Sequence, residues 1–234
     1  MNFPLSEIQE TSFIEGLISI WGDFGVGKTI FALQTIRVFL EKDQKVLFVY
    51  TKPIFPYKEL QNVLKEKYKE KEIPLVLENL SLINCTSFEE LYSFIYKIEF
   101  SLLKNKKGKK KNIPNLIVID SITNLYRLEL NKEQKPTNIK LNFQLNEILG
   151  QLTYLNHHYH IEVLLTNELS RKRIEDNYVE IQSGGKVMEY WTTLSIKIQR
   201  TPKHSVRKFI IQKHPRNNVG EFVSKLSEIG FISI

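Results

Sequence analysis

The run Gly22-Asp23-Phe24-Gly25-Val26-Gly27-Lys28-Thr29 has the residue types and the spacing for one kind of chemistry. Gly22, Gly25 and Gly27 let the backbone curl until several N–H groups point at one spot. A helix beginning at the end of the run adds partial positive charge there. A polyphosphate suits that spot. Lys28 would reach its β- and γ-phosphates, and the Thr29 hydroxyl would hold a Mg²⁺ bridging them. A second chemical group is the carboxylate of Asp120, which ends the apolar stretch Leu116, Ile117, Val118, Ile119. Alone, such an ending means little. Downstream of a phosphate loop it is the Walker B pattern, and Asp120 would hold a water ligand of Mg²⁺ or orient Thr29.

These groups need elements to position them. Leu17, Ile18, Ile20 and Trp21 read as a strand before the glycines, and Ile30, Leu33, Ile36, Phe39 and Leu40 as a helix after them. Residues 45–51 form a buried parallel strand, 56–69 a helix with Leu60, Val63, Leu64 and Tyr68 on one face, and 80–84 a short strand. Ser87 with Glu90 three residues on marks a helix start, carried by Phe88, Leu91, Tyr92, Ile95, Ile98 and Leu102. An amphipathic helix with Phe143, Leu145, Ile148, Leu149, Leu152 and Leu155 runs into a strand at 161–166. His157, His158 and His160 fall at that junction without an acidic or cysteine partner at ligand spacing, and read as a helix end. Residues 170–182 are a charged connection containing Arg171, Lys172 and Arg173, closed by Gly184 and Gly185. Strands at 194–200, 206–214 and 221–227 suggest an antiparallel extension on one edge of the sheet. The expected class is α/β: a mainly parallel twisted sheet flanked by helices, with an antiparallel C-terminal extension.

Composition bounds this reading. The 234 residues, 42% hydrophobic and 25% charged, suit one α/β domain over 16–234 behind a short lead-in at 1–15. The single Cys85 excludes an intrachain disulfide, and the N-terminus has neither a basic nor an apolar leader region. No run approaches a membrane span, so a cytoplasmic protein is expected. The net charge of +7 is local: without Lys104, Lys106, Lys107, Lys109, Lys110 and Lys111 it is +1. The basic loop 104–112 either attracts polyanions by counterion release or is simply solvated.

Taken in order, GDFGVGKT, LIVIDSIT followed by NLYRLEL, LLTNEL, SGGKVMEYW and IIQKHPR resemble the RecA/RadA recombinase ATPase core. The resemblance covers about residues 16–234 and, within the family, is nearest to the archaeal RadB branch of short RadA paralogues. It implies a RecA-like P-loop NTPase fold, ATP held by Gly22 to Thr29, and Mg²⁺ served by Thr29 and Asp120. It also implies DNA, single strands favoured, a RadA-type recombinase as partner, and a homo-oligomer. Residues 126–140 correspond to the family's first DNA-facing loop and 170–184 to the second. That makes Arg127, Arg171, Lys172 and Arg173 the candidates for phosphate contact. Lys213 and His214 lie where the family reaches the ATP of a neighbouring subunit. The RadB branch lacks the helix-hairpin-helix domain preceding the core in full recombinases, and the resemblance implies that none is expected here.

Two departures stand against these matches. The family's catalytic Glu, normally in a Thr-Glu pair, is here Lys52 after Thr51, and its γ-phosphate-sensing Gln is Glu168. The resemblance therefore implies ATP binding with slow or absent hydrolysis. Lys52 and Glu168 are expected to pair with one another. An alternative register gives the carboxylate's part to Glu59, well into the following helix. A KaiC-like signalling ATPase, acting on protein partners without DNA, is the other reading of the same core; a small-molecule kinase would need an acceptor pocket and a lid, for which no motif is present.

Overall fold

Side chains alternate sides along a strand, and in this chain both sides are apolar, so helices must cover both faces. The computed structural model describes residues 3–8, 13–106, 113–131 and 133–234. A 3-10 turn at Ser6–Ile8 precedes β1 (Leu17–Gly22), α1 (Lys28–Leu40), β2 (Val46–Tyr50), α2 (Tyr57–Lys65), α3 (Ile73–Leu77), β3 (Leu80–Asn84) and α4 (Phe88–Lys106). There follow β4 (Leu116–Asp120), α5 (Asn124–Glu129), α6 (Lys135–Tyr159), β5 (Glu162–Ile174), β6 (Asn177–Gln182) and α7 (Gly185–Trp191). The last strands are β7 (Thr192–Arg200), β8 (Val206–Lys213), β9 (Gly220–Ser227) and β10 (Gly230–Ser233).

The sheet runs β10-β9-β8-β7-β1-β5-β4-β2-β3, with β6 paired to β5 off that path. From β7 to β3 all neighbours are parallel. Strands β8, β9 and β10 are antiparallel, which bears out the α/β class with its C-terminal extension. One detail differs: the strand expected to open that extension, β7, joins β1 in parallel. A parallel neighbour requires a crossover, and α7 supplies it. Strand β10 is an addition to the expected elements. The helix expected over 56–69 stops at Lys65 and a short α3 follows.

The two faces bury separate cores. On one, Phe31, Leu33 and Ile36 of α1 pack with Ile18, Ile20, Phe48, Val118, Phe209 and Phe231. On the other, Phe88, Leu91 and Ile95 of α4 and Leu145, Ile148 and Leu152 of α6 pack with Leu47, Val49, Ile117, Ile119, Val163 and Leu165. Alternate residues of β2 and β4 thus serve opposite cores. Phe3, Leu5, Ile8 and Ile14, from the expected lead-in, are buried in the first core. Each fully buried Phe or Leu stabilises the fold by about 1.5–3 kcal/mol.

His157 and His158 close the last turn of α6, and His160 caps it at φ 55, so the histidine cluster is a helix end. Burial pushes the Cys85 thiol up to about 11. Among the described residues no helix is long and apolar enough to cross a membrane. Most of the lysine-rich loop, from Lys107 to Asn112, lies outside the described residues.

Candidate functional site

The glycine run bends from the end of β1 into α1, whose first residue is Lys28. Gly27 sits at φ 106, where a Cβ would lie 2.6 Å from the Phe231 ring carbon Cζ. Strand β10 therefore presses the loop into a shape only glycine tolerates at that point. Lys28 is 5% exposed. Its Nζ donates to Gly22 O at 3.0 Å, Asp23 O at 2.9 Å and Glu168 Oε2 at 3.0 Å, which commits all its N–H groups. Burial pushes the Lys28 pKa down, and the charge of Glu168 opposes it. From the end of β7, Arg200 Nη2 donates to Phe24 O at 2.6 Å, and its Nη1 lies 3.6 Å from Asp23 Oδ2. Phe24 itself is 85% exposed at the tip of the loop, while Val26 is buried.

Asp120 is fully buried at the end of β4. Its Oδ2 accepts from the Thr29 hydroxyl at 2.7 Å. Its Oδ1 accepts from the Thr166 hydroxyl at 2.5 Å and from Lys52 Nζ at 2.7 Å. Lys52 Nζ also donates to Thr29 Oγ1 at 3.0 Å. The expected Lys52–Glu168 pair is therefore corrected: Lys52 goes to Asp120 and Glu168 to Lys28. Sheet order is the reason. Strand β4 stands between β2 and β5, so the carboxylate nearest the end of β2 belongs to Asp120; β5 adjoins β1, with Glu168 in register with Gly22.

The same contacts decide how a metal fits. Thr29 and Asp120 are oxygen donors suited to a hard cation. As folded, however, both are satisfied by the Lys52 ammonium, so they do not form an open divalent site.

Between these groups lies a cavity of about 1320 Å³, lined among others by Lys28, Thr29, Tyr50, Lys52, Glu59, Asn124, Arg127, Glu168 and Arg171. Asn124 Nδ2 donates to Thr51 O at 2.9 Å, tying α5 to the end of β2. The Tyr50 hydroxyl donates to Ile54 O at 2.7 Å, and burial, helped by Asp120 and Glu59, pushes its pKa up to about 12. Glu59 is exposed on α2.

A model of the Rad51 family matches residues 8–233. The chain belongs to the Rad51 family. It is 32% identical over 212 residues to the DNA repair and recombination protein RadB of Methanocaldococcus jannaschii, covering 90% of each chain. It is 29% identical over 206 residues to RadB of Methanococcus maripaludis, covering 88% of this chain and 85% of the relative. With RadB of Methanosphaera stadtmanae the identity is 24% over 223 residues, 95% and 89% of the two chains. The resemblance read from the motifs is thereby borne out.

In this Rad51-family chain the candidate residues fall into three groups. Lys28, Thr29, Asp120, Lys52 and Glu168 meet in one cluster. The segments expected as DNA-facing loops are largely regular: residues 126–140 hold the end of α5 and the start of α6, and 170–184 hold the hairpin β5–β6. In that hairpin Arg171 and Arg173 pair loosely with Glu180 at 3.9 Å and Asp176 at 3.6 Å, and Lys172 is exposed. Arg127 Nη1 donates to Leu169 O at 3.4 Å beside the cavity. Lys213 and His214 lie outside the cavity wall of their own chain. Lys213 Nζ donates to Glu189 O at 2.9 Å, and His214 Nδ1 accepts from Arg216 N at 3.1 Å. Arg200, Thr166, Asn124 and Phe231 escape a reading of the sequence, because nothing local ties them to the glycine run.

Proposed function

We propose that this Rad51-family chain is an ATP-binding DNA repair and recombination protein of RadB type, with slow or absent hydrolysis. The observation that carries the reading is that Lys28 and Thr29 line one cavity at the carboxyl end of β1, with Asp120 buried behind it at the end of β4 and hydrogen-bonded to Thr29. That is where ligands collect in an open α/β sheet. The name shared by the relatives supports the recombination role.

The chain's residues assign the steps. Loop N–H groups and the N-terminus of α1 receive the phosphates, and Lys28 exchanges its Glu168 partner for a phosphate oxygen. Glu168 stands on β5, three residues before Arg171, so its release loads the strand that carries the basic hairpin. Nucleotide then biases DNA affinity only by binding the two arrangements differently. Single-stranded DNA is held by Arg127, Arg171, Lys172 and Arg173, a RadA-type recombinase is the protein partner, and Lys213 and His214 serve contacts between copies. Hydrolysis is slow because an ammonium replaces the base that would orient water, a loss of about 10² to 10⁴ in rate.

Single-stranded DNA anisotropy at two salt concentrations, with and without ATP, tests the reading. The expected result is affinity that falls steeply with salt and shifts with ATP. A response flat to both would favour the KaiC-like alternative, and turnover matching a full recombinase would remove the claim of slow hydrolysis.

A further inference from the structure

Lys52 reaches both oxygen groups that a P-loop protein reserves for its divalent cation. Its Nζ is 2.7 Å from Asp120 Oδ1 and 3.0 Å from Thr29 Oγ1. The Thr29 hydroxyl is used in both directions: it donates to Asp120 Oδ2 at 2.7 Å and accepts from Lys52. Its lone pair that would face a metal therefore faces an N–H. Asp120 is equally committed, with Thr166 and Lys52 on one oxygen and Thr29 on the other.

We propose that the Lys52 ammonium is a tethered counter-ion standing where the divalent cation would sit, so that this chain binds a nucleoside triphosphate without a divalent ion. This rests on the nucleotide reading of the same cavity. Lys28, Lys52, Asp120 and Glu168 sum to zero charge, and the cluster needs no added ion to be neutral. When a triphosphate takes Lys28 from Glu168, two ammonium groups face it, one from α1 and one from the end of β2. Two of the Lys52 N–H groups go to Thr29 and Asp120, and among the described contacts the third remains for a phosphate oxygen. The side chain is 25% exposed against 0% for Asp120, so it lies between the buried carboxylate and the cavity it lines. A divalent ion entering the same place would meet a like charge within hydrogen-bond distance of its ligands. An ammonium is a compact monovalent point charge, tethered here by its side-chain stem. It neutralises and orients phosphate oxygens but does not coordinate several of them at once, which fits a nucleotide held rather than turned over.

Isothermal titration of ATP into the full chain, once with Mg²⁺ and once with EDTA, decides the matter. The expected result is a Kd that changes by less than about threefold between buffers. In Lys52→Met, which keeps the length of the stem and drops the charge, EDTA should weaken binding by at least about tenfold, because the oxygens then take a metal. A wild-type Kd at least about tenfold weaker in EDTA overturns the inference while leaving the nucleotide reading intact. Absence of binding in both buffers overturns both. The wild-type comparison is decisive even where Lys52→Met does not fold.

Discussion

Strand β5 carries charge into two unlike surroundings. Its inner half ends at Glu168, 16% exposed and 3.0 Å from a Lys28 that is 5% exposed. Three residues on, Arg171 is 61% exposed and lies 3.9 Å from Glu180. The residue types are alike and the consequences are not. A charge at the inner site cannot be left alone, since removing one partner of a buried pair costs about 3–5 kcal/mol. Exposed pairs of the outer kind contribute about 0–1 kcal/mol, so their charges stay available to a polyanion. One strand thus joins a cluster that must be neutral to one that need not be.

The inner cluster is expected to be indispensable to the fold, and the outer one is not. Asp120→Ala strips the acceptor from Thr29, Thr166 and Lys52 at once and should cost about 3–5 kcal/mol in urea unfolding. A loss below about 1 kcal/mol, the range of an exposed pair, would show that the cluster is not behaving as a buried one. Lys28→Met should weaken ATP binding by about a hundredfold or more, read by titration calorimetry. Its folding cost should also be about 3–5 kcal/mol, because Glu168 is left without its partner. ATP affinity unchanged in this variant would remove Lys28 from the site.

Glu168→Gln sharpens the same contrast from the other side. It removes the carboxylate paired with Lys28, so ATP should bind about tenfold tighter, and weaker binding would mean that Glu168 assists rather than opposes the nucleotide. For the outer half, Arg171→Ala and Arg173→Ala should each leave stability within about 0.5 kcal/mol. Each should lower the salt slope of DNA binding by about one. A slope untouched by either would take the hairpin out of the DNA contact.

The smallest effect concerns acid. A hydrogen bond from Lys197 at 2.8 Å holds the Glu180 carboxyl below its ordinary value of 4.5. A depressed carboxyl contributes stability that is fully present above the unfolded value and lost as pH falls through the folded one. Stability curves of wild type and Glu180→Gln should therefore differ above that value and converge below it. Curves that stay parallel through acid would discount the pairing.

Much of the site is legible in the order of residues. The glycine run and Asp120 are local signals: each is a strand end whose neighbours along the chain do the positioning, so type and spacing carry the information. The alternation of apolar segments likewise points to the α/β class. Pairings are not legible in that way. Lys52 and Glu168 are both charges at strand ends, and choosing partners for them requires knowing that β4 lies between β2 and β5. Arg200 and Phe231, far along the chain, reach the glycine loop only because the sheet folds β7 beside β1 and sets β10 against α1.

Residue order alone fixes the glycine loop ahead of α1, its downstream carboxylate and the family to which both belong, since these depend on residue type over short spans. Tertiary structure alone decided which charge neutralises which. Electrostatic energy depends on separation in space and on burial, and both are set by strand order, which no local pattern encodes.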